Sequence, residues 1–324
     1  MVDLVGTLDL DTIRAAHERI RPYIHRTPVL TNSWLNDACR ASLFFKCENF
    51  QKVGAFKARG ATNAVFALDD ETARRGVATH SSGNHGAAVA RAAKLRGVPA
   101  HVVMPSNSAK VKIRAVESYG AQVVFCEPTE ESREFKCAEV TNQTGATLIH
   151  SFENEHVIAG QGTAAMELVE DVPDLDVIMC PVGGGGLLSG TAIAAKSMRP
   201  QINVIAVEPQ NADDAAQSFR AGRRLVTEKK FTIADGLRTN IGEPNFAIIQ
   251  QYVEDIVTVS EEAIVSAMRT IWETMKIVIE PSAAVPYAAV AERVIDVESK
   301  QVGIILTGGN VDLDALPWNC SRDR

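Results

Sequence analysis

No stretch of the 324-residue sequence approaches the run of roughly 18 apolar residues that a membrane-crossing helix needs. The start, Met1-Val2-Asp3-Leu4, lacks a basic segment followed by an apolar one, so no secretory leader is expected, and the expected location is cytoplasmic. Blocks of one charge are missing too. Lys and Arg total 33 and Asp and Glu total 40, and the net charge of −7 is spread along the chain. This argues against nucleic acid or an anionic membrane as partner and leaves a small ligand. The cysteines Cys39, Cys47, Cys126, Cys137, Cys180 and Cys320 form no C-x-x-C and no His-spaced pair, so they read as free thiols in a reducing compartment. Two nucleotide signatures are also absent. No G-K-[ST] closes a Walker loop, and Ser189 stands where a dinucleotide loop beginning at Gly184 needs its third glycine.

What is present is a chain that is 46% hydrophobic and long enough for about two domains. Residues 11–23 carry Ile13, Ala16, His17 and Ile20 at helical spacing, with Asp11 as the expected cap. Strands are then expected at 43–47, 77–80, 100–104, 122–126 and 147–150. Helices are expected at 58–68, 86–95, 108–118 and 130–141. A second series follows, with strands at 177–180, 204–207, 256–259 and 302–306 and helices at 160–170, 187–198, 261–275 and 282–294. Such alternation predicts an α/β fold of two domains, each a mainly parallel twisted sheet covered by helices. Residues 1–75 with 154–324 would form a large domain and residues 76–153 a small one that moves on binding, with the ligand between them.

Three Gly-containing loops stand at expected strand ends, where open α/β sheets bind ligands. Pro181-Val182-Gly183-Gly184-Gly185-Gly186-Leu187 has four consecutive glycines opening a helix. A strand-to-helix turn needs one or two, so four favour a phosphate cradle of backbone N–H groups. Ser81-Ser82-Gly83-Asn84-His85-Gly86 suits a carboxylate, or plain helix capping by Ser82 or Asn84. Thr307-Gly308-Gly309-Asn310 is the third. Lys57 lies between Phe56 and Ala58 as a helix begins. An apolar setting lowers an amine's pKa and suits a Schiff-base lysine, although a lone helix lysine is more often a solvated one. A lysine plus a separate phosphate cradle is what pyridoxal phosphate requires.

With Gly54-Ala55-Phe56-Lys57-Ala58-Arg59-Gly60-Ala61, Ser81-Ser82-Gly83-Asn84-His85, Val157-Ile158-Ala159-Gly160-Gln161-Gly162-Thr163 and the tetraglycine in this order, the chain resembles a known family. It is the serine/threonine dehydratase and serine racemase family of fold-type II pyridoxal-phosphate enzymes, which have the tryptophan synthase β-like fold. The resemblance implies that Lys57 carries the cofactor and takes the α-proton. Gly183, Gly184, Gly185, Gly186 and Leu187 would hold its phosphate. Asn84 would bond its 3′-oxygen, Phe56 pack on its ring and Thr307 meet its pyridine nitrogen. Ser81, Ser82, Gly83, Asn84 and His85 would hold the substrate α-carboxylate, with Ser82 also acting on the face opposite Lys57. Glu208, the Ala212 carbonyl and Asp214 would bind a divalent cation, Mg²⁺ or Ca²⁺ or else Mn²⁺. A homodimer is the expected assembly, and no regulatory domain is expected after residue 312.

Two departures from the family pattern stand out. Ala87 replaces the usual Gln, which puts a nucleotide contact there in doubt, and Thr307 replaces the usual Ser but keeps the hydroxyl. Within this family the double serine Ser81-Ser82 and Arg133 resemble the serine racemase and 3-hydroxyaspartate dehydratase branch. Arg133 could pair bidentately with a distal substrate carboxylate, or be a solvated helix arginine among Glu130, Glu131 and Glu134. The leading expectation is β-elimination on 3-hydroxyaspartate, giving oxaloacetate and ammonia, with serine and threonine as related substrates. Alternatives are a serine racemase, a serine or threonine ammonia-lyase, and, in another class, a non-catalytic binder of phosphate ligands. A β-replacing synthase is disfavoured, because its loop reads Ser-Gly-Asn-Thr.

Overall fold

The computed structural model describes residues 7–81, 83–108, 110–227 and 231–318; Ser82 and Cys320 lie outside them. Among the described residues ten strands form two sheets. In chain order they are β1 (Val29–Leu30), β2 (Ser42–Cys47), β3 (Val77–His80), β4 (Ala100–Pro105), β5 (Gln122–Cys126), β6 (Thr147–Leu148), β7 (Val177–Pro181), β8 (Asn203–Pro209), β9 (Asp255–Val259) and β10 (Gln301–Leu306). A six-stranded sheet runs β1-β2-β10-β7-β8-β9 and a four-stranded one runs β5-β4-β3-β6. Only the short β1–β2 pairing is antiparallel.

The apolar runs of β7 and β8 follow from burial on both faces. Ile178, Cys180, Val204 and Ala206 enter a core shared with the helices Glu155–Asp171 and Gly186–Met198. Their neighbours Val177, Met179, Ile205 and Val207 enter a second core, under the helices Glu261–Met275 and Pro281–Ala291. This is the period of two of a strand. In the smaller sheet Val77, Val102 and Met104 meet Val89 and Ala92 of the helix Asn84–Arg96, while Ala78 and Val103 meet Cys137 and Val140 on the other face.

Some local expectations change. The first helix is Leu10–Ile20 and its cap is Asp9, not Asp11. The Asp9 carboxylate accepts the Thr12 N–H at 2.8 Å and the Thr12 hydroxyl accepts the Asp9 N–H at 3.0 Å, a reciprocal box that Asp11 has no matching residue to make. The strand expected over 147–150 ends at Leu148, and His150 turns into the cleft described below. The helix expected over 58–68 begins one residue earlier, so Lys57 opens Lys57–Ala67.

The helix Glu155–Asp171 joins the two parts that matter most. A Cβ on Gly160 would lie 2.6 Å from the Gly60 Cα, and one on Gly162 would lie 2.8 Å from the Gly190 carbonyl. Only glycine allows this approach, which locks both the Lys57 helix and the helix behind the tetraglycine to one support. Beside it, Arg59 is fully buried between two carboxylates. Its Nε donates to Glu48 Oε2 at 2.7 Å and its Nη1 and Nη2 donate to Glu167 at 2.8 Å each. Lys46 Nζ reaches Glu167 Oε2 at 2.7 Å, so two buried cations face two buried anions. Removing one partner leaves a buried charge uncompensated. Arg59→Met is therefore expected to cost about 3–5 kcal/mol in urea denaturation, whereas the exposed Arg14→Met, which loses the pair with Asp11, should change stability by less than about 1 kcal/mol.

Candidate active site

A cleft of about 440 Å³ is lined by residues that follow β3, β6, β7 and β10, so both sheets contribute. Lys57 reaches it from the start of its helix. The amine donates to the Ser151 carbonyl at 2.9 Å and lies 5.1 Å from the centre of the Phe56 ring. Among the described residues no carboxylate pairs with it. Burial therefore acts unopposed and lowers its pKa to about 8, which makes a neutral amine available near neutral pH.

The tetraglycine follows β7, and Gly183, Gly184, Gly185, Gly186 and Leu187 all line the cleft. Gly185 is the N-cap of Gly186–Met198, has φ +93°, and offers no side chain to the first helical amides. A Cβ on Gly184 would lie 2.3 Å from the Phe152 ring. The cradle thus presents bare N–H groups at a helix start, where an anion is favoured. Across the cleft Thr307 Oγ1 is buried and has no hydrogen-bond partner among the described residues. An amine without a counter-charge, an orphaned hydroxyl and an uncapped glycine helix start match the aldehyde, ring nitrogen and phosphate of pyridoxal phosphate. The residues present fit this cofactor.

Asn84 is tightly held. Its Nδ2 donates to Glu280 Oε1 at 3.0 Å, and its Oδ1 accepts Asn310 Nδ2 at 2.8 Å. Burial, with Asp235 adding to it, raises the Glu280 pKa to about 7, against the opposing effects of Asn84 and Lys112. The ring of His85 is held by a hydrogen bond to main chain. It is buried and Nε2 contacts the Ile149 carbonyl at 3.0 Å, so Nε2 carries the proton. Burial, then Lys57, lowers its pKa to about 3, and the buried Nδ1 has no partner. A neutral ring with its proton committed elsewhere has nothing to offer a carboxylate, so only the His85 main chain at the helix start can serve there. Gly83 is the N-cap of this helix and supplies no side chain, and the Ser81 hydroxyl accepts the Gly83 N–H at 3.3 Å.

Arg133, half-buried on the helix Glu130–Thr144, also lines the cleft. Its Nε makes a long 3.4 Å hydrogen bond to the Thr129 carbonyl, and its two Nη groups have no partner among the described residues. Its charge reaches His80, whose pKa is lowered by burial and then by Arg133, against Glu134 and Glu130. The ring of His150 lies 5.6 Å from that of His80 and 4.6 Å from that of Phe152. From another element, Lys112 spans the cleft mouth to Asp235 at 2.7 Å.

Glu208 and Asp214 come together outside the cleft. Both oxygens of Glu208 accept main-chain N–H groups, of Ala215 at 3.2 Å and Ala216 at 2.8 Å, and Asp214 Oδ2 accepts that of Ile241 at 2.7 Å. Burial and then Asp214 push Glu208 well above the usual carboxylate range. Ala212 ends the short turn Gln210–Ala212 between them. Two buried carboxylates beside main-chain carbonyls are the oxygen donors that suit a hard cation. Among the described residues no group of three His, Cys, Asp or Glu side chains is placed to hold an ion.

Sequence reasoning missed Glu280, Phe152 and Asn245, and named Asn310 only as part of its loop. The first gave a faint signal, as Glu280-Pro281 has proline at a helix start. The others are ordinary residues whose partners lie tens of residues away.

The comparisons with known proteins fix the family. The pyridoxal-phosphate dependent enzyme family matches residues 20–308, and the chain belongs to it. More particularly, it is 50% identical over 305 residues to a beta-hydroxyaspartate dehydratase of Paracoccus denitrificans, covering 94% of this chain and 97% of that one. It is 48% identical over 313 residues to a serine racemase of Oryza sativa subsp. indica, covering 95% and 92%. The structure of maize serine racemase superposes with a TM-score of 0.93 at 47% identity, covering 96% of each chain. The chain is thus an enzyme of fold-type II, within the serine racemase and dehydratase group, and the non-catalytic alternative falls away.

Borohydride reduction of the enzyme with pyridoxal phosphate, followed by peptide mapping, should tag Lys57; a tag elsewhere overturns its role. Because the amine must lose a proton before it attacks, cofactor incorporation into the apoenzyme should quicken as pH rises towards about 8 and level off above it. Stopped-flow absorbance checks this, and a profile still rising steeply to pH 10 would mean that burial does not lower the Lys57 pKa.

Proposed function

We propose that the enzyme converts 3-hydroxyaspartate to oxaloacetate and ammonia by β-elimination, with serine and threonine as related substrates. The observation that carries this reading is Arg133, which lines the cleft and has no partner for its Nη groups among the described residues. It offers a bidentate partner for a second carboxylate.

When bound, pyridoxal phosphate supplies the electron sink that makes the substrate α-proton acidic. Lys57 would hold the cofactor and take that proton, a task suited to a buried amine of lowered pKa. The Thr307 hydroxyl would stand by the ring nitrogen as a neutral group and Phe56 would pack on the ring. Residues 183–187 would hold the phosphate and Asn84, braced by Glu280, the 3′-oxygen. The N–H groups at the start of Asn84–Arg96, with Ser81, would orient the α-carboxylate. Closure of residues 76–153 would exclude water, with Lys112–Asp235 as a contact across the mouth.

A second reading, serine racemase, is supported by the double serine Ser81-Ser82 and the rice relative. It keeps Lys57 and gives Ser82 the opposite face. An assay of 2-oxo acid release across serine, threonine and the 3-hydroxyaspartate isomers separates the readings. Arg133→Ala should lower kcat/KM for 3-hydroxyaspartate by about two orders of magnitude and leave serine much less affected. Equal losses would make Arg133 structural and favour serine.

Glu208, Asp214 and the Ala212 carbonyl would hold Mg²⁺, Ca²⁺ or Mn²⁺, relieving the crowding of two buried carboxylates. A cation bound only by the folded state raises stability by mass action. Chelator should therefore lower the Tm of the wild type and leave that of Glu208→Ala unchanged; equal shifts would refute the site.

A further inference from the structure

Asn245 is fully buried in the helix Glu243–Tyr252 and does not line the cleft. Its Nδ2 donates to the Phe152 carbonyl at 2.8 Å and to the Gly184 carbonyl at 3.0 Å, and its Oδ1 accepts the Ser189 hydroxyl at 2.9 Å. Both carbonyls can only accept, so the amide has one possible orientation. The Gly184 carbonyl also accepts the Gly242 N–H at 3.1 Å.

A peptide unit is planar and trans, so its C=O and N–H point to opposite sides. Two donors draw the Gly184 carbonyl towards Asn245 and Gly242. The Gly185 N–H of that same peptide is then turned the other way, and no acceptor for it is found among the described residues. Gly185 itself borders the cleft. The fit is close, since a Cβ on Gly185 would lie 2.7 Å from the Asn245 Cβ. Through Ser189 the same amide also ties down the first turn of Gly186–Met198.

We propose that Asn245 is a positioning residue for the phosphate of the cofactor: by holding the Gly184 carbonyl and Ser189 it aims the Gly185 N–H into the cleft. It acts through the loop and touches neither substrate nor cofactor. The phosphate contributes binding only to ligands that carry one, so this role differs measurably from general support of the fold.

The test uses apoenzyme titrated with pyridoxal phosphate and with pyridoxal, followed by absorbance, together with the Tm of each apoprotein. Asn245→Asp keeps the size and the acceptor for Ser189 but sets an oxygen against the Gly184 and Phe152 carbonyls. Its affinity for pyridoxal phosphate should fall about 30-fold, and that of Asn245→Ala about tenfold, the scale of one or two lost polar contacts. Affinity for pyridoxal should stay within about twofold of wild type in both. Equal losses for the two ligands, or unchanged affinity for pyridoxal phosphate in both variants, would overturn the proposal. If Asn245→Asp does not fold, the Asn245→Ala ratio decides alone.

Discussion

The buried Arg59 between Glu48 and Glu167 is the constraint on which the rest of the site depends. Burial would lower the guanidinium pKa, but the two carboxylates raise it; Arg59 and Lys46 in turn hold Glu167 below the usual carboxylate range against its own burial. Each charge is tolerable only because the others are in place. Arg59 sits two residues after Lys57, Glu48 follows β2, and Glu167 belongs to the helix Glu155–Asp171. One cluster therefore fixes the reactive helix to the central sheet and to its supporting helix. The Gly60–Gly160 approach completes that attachment by bringing two backbones into contact.

From that fixed base the cleft leaves its amine without a paired acid among the described residues, and burial lowers the Lys57 pKa to about 8. The Thr307 hydroxyl and the His85 ring are uncharged, and the glycine helix start offers peptide dipoles. Positive side chains that line the cleft include Arg133, Arg224 and Lys112, the last paired with Asp235.

The tetraglycine shows how packing and binding can make one demand. Gly184 is required because Phe152 lies against it, and Gly185 because its φ is positive and Asn245 is adjacent. Neither reason mentions a ligand. Yet the same contacts strip the helix start of side chains and orient its amides, which is what an anion needs. Internal packing is thus the immediate cause of at least two of the four glycines, and it leaves a bare helix start where an anion is favoured.

Much was legible in the chain itself. The alternation of β7, β8 and β10 with their helices follows from apolar runs that only a doubly covered parallel strand explains, and Lys57 with residues 183–186 was visible because both depend on local residue type. The cap at Asp9 was misplaced by two residues, because Asp11 offers the same carboxylate and only the pairing with Thr12 distinguishes them. The sequence alone determined the strand–helix alternation of the two sheets, the Lys57 helix start and the glycine run, since these are written in neighbouring residues, whereas the helix Glu243–Tyr252 was not read from it. Tertiary structure alone decided that the His85 ring faces Ile149, that Glu280 braces Asn84 across 196 positions and that Asn245 holds Gly184 across 61, because hydrogen bonds between distant segments leave no periodicity to read.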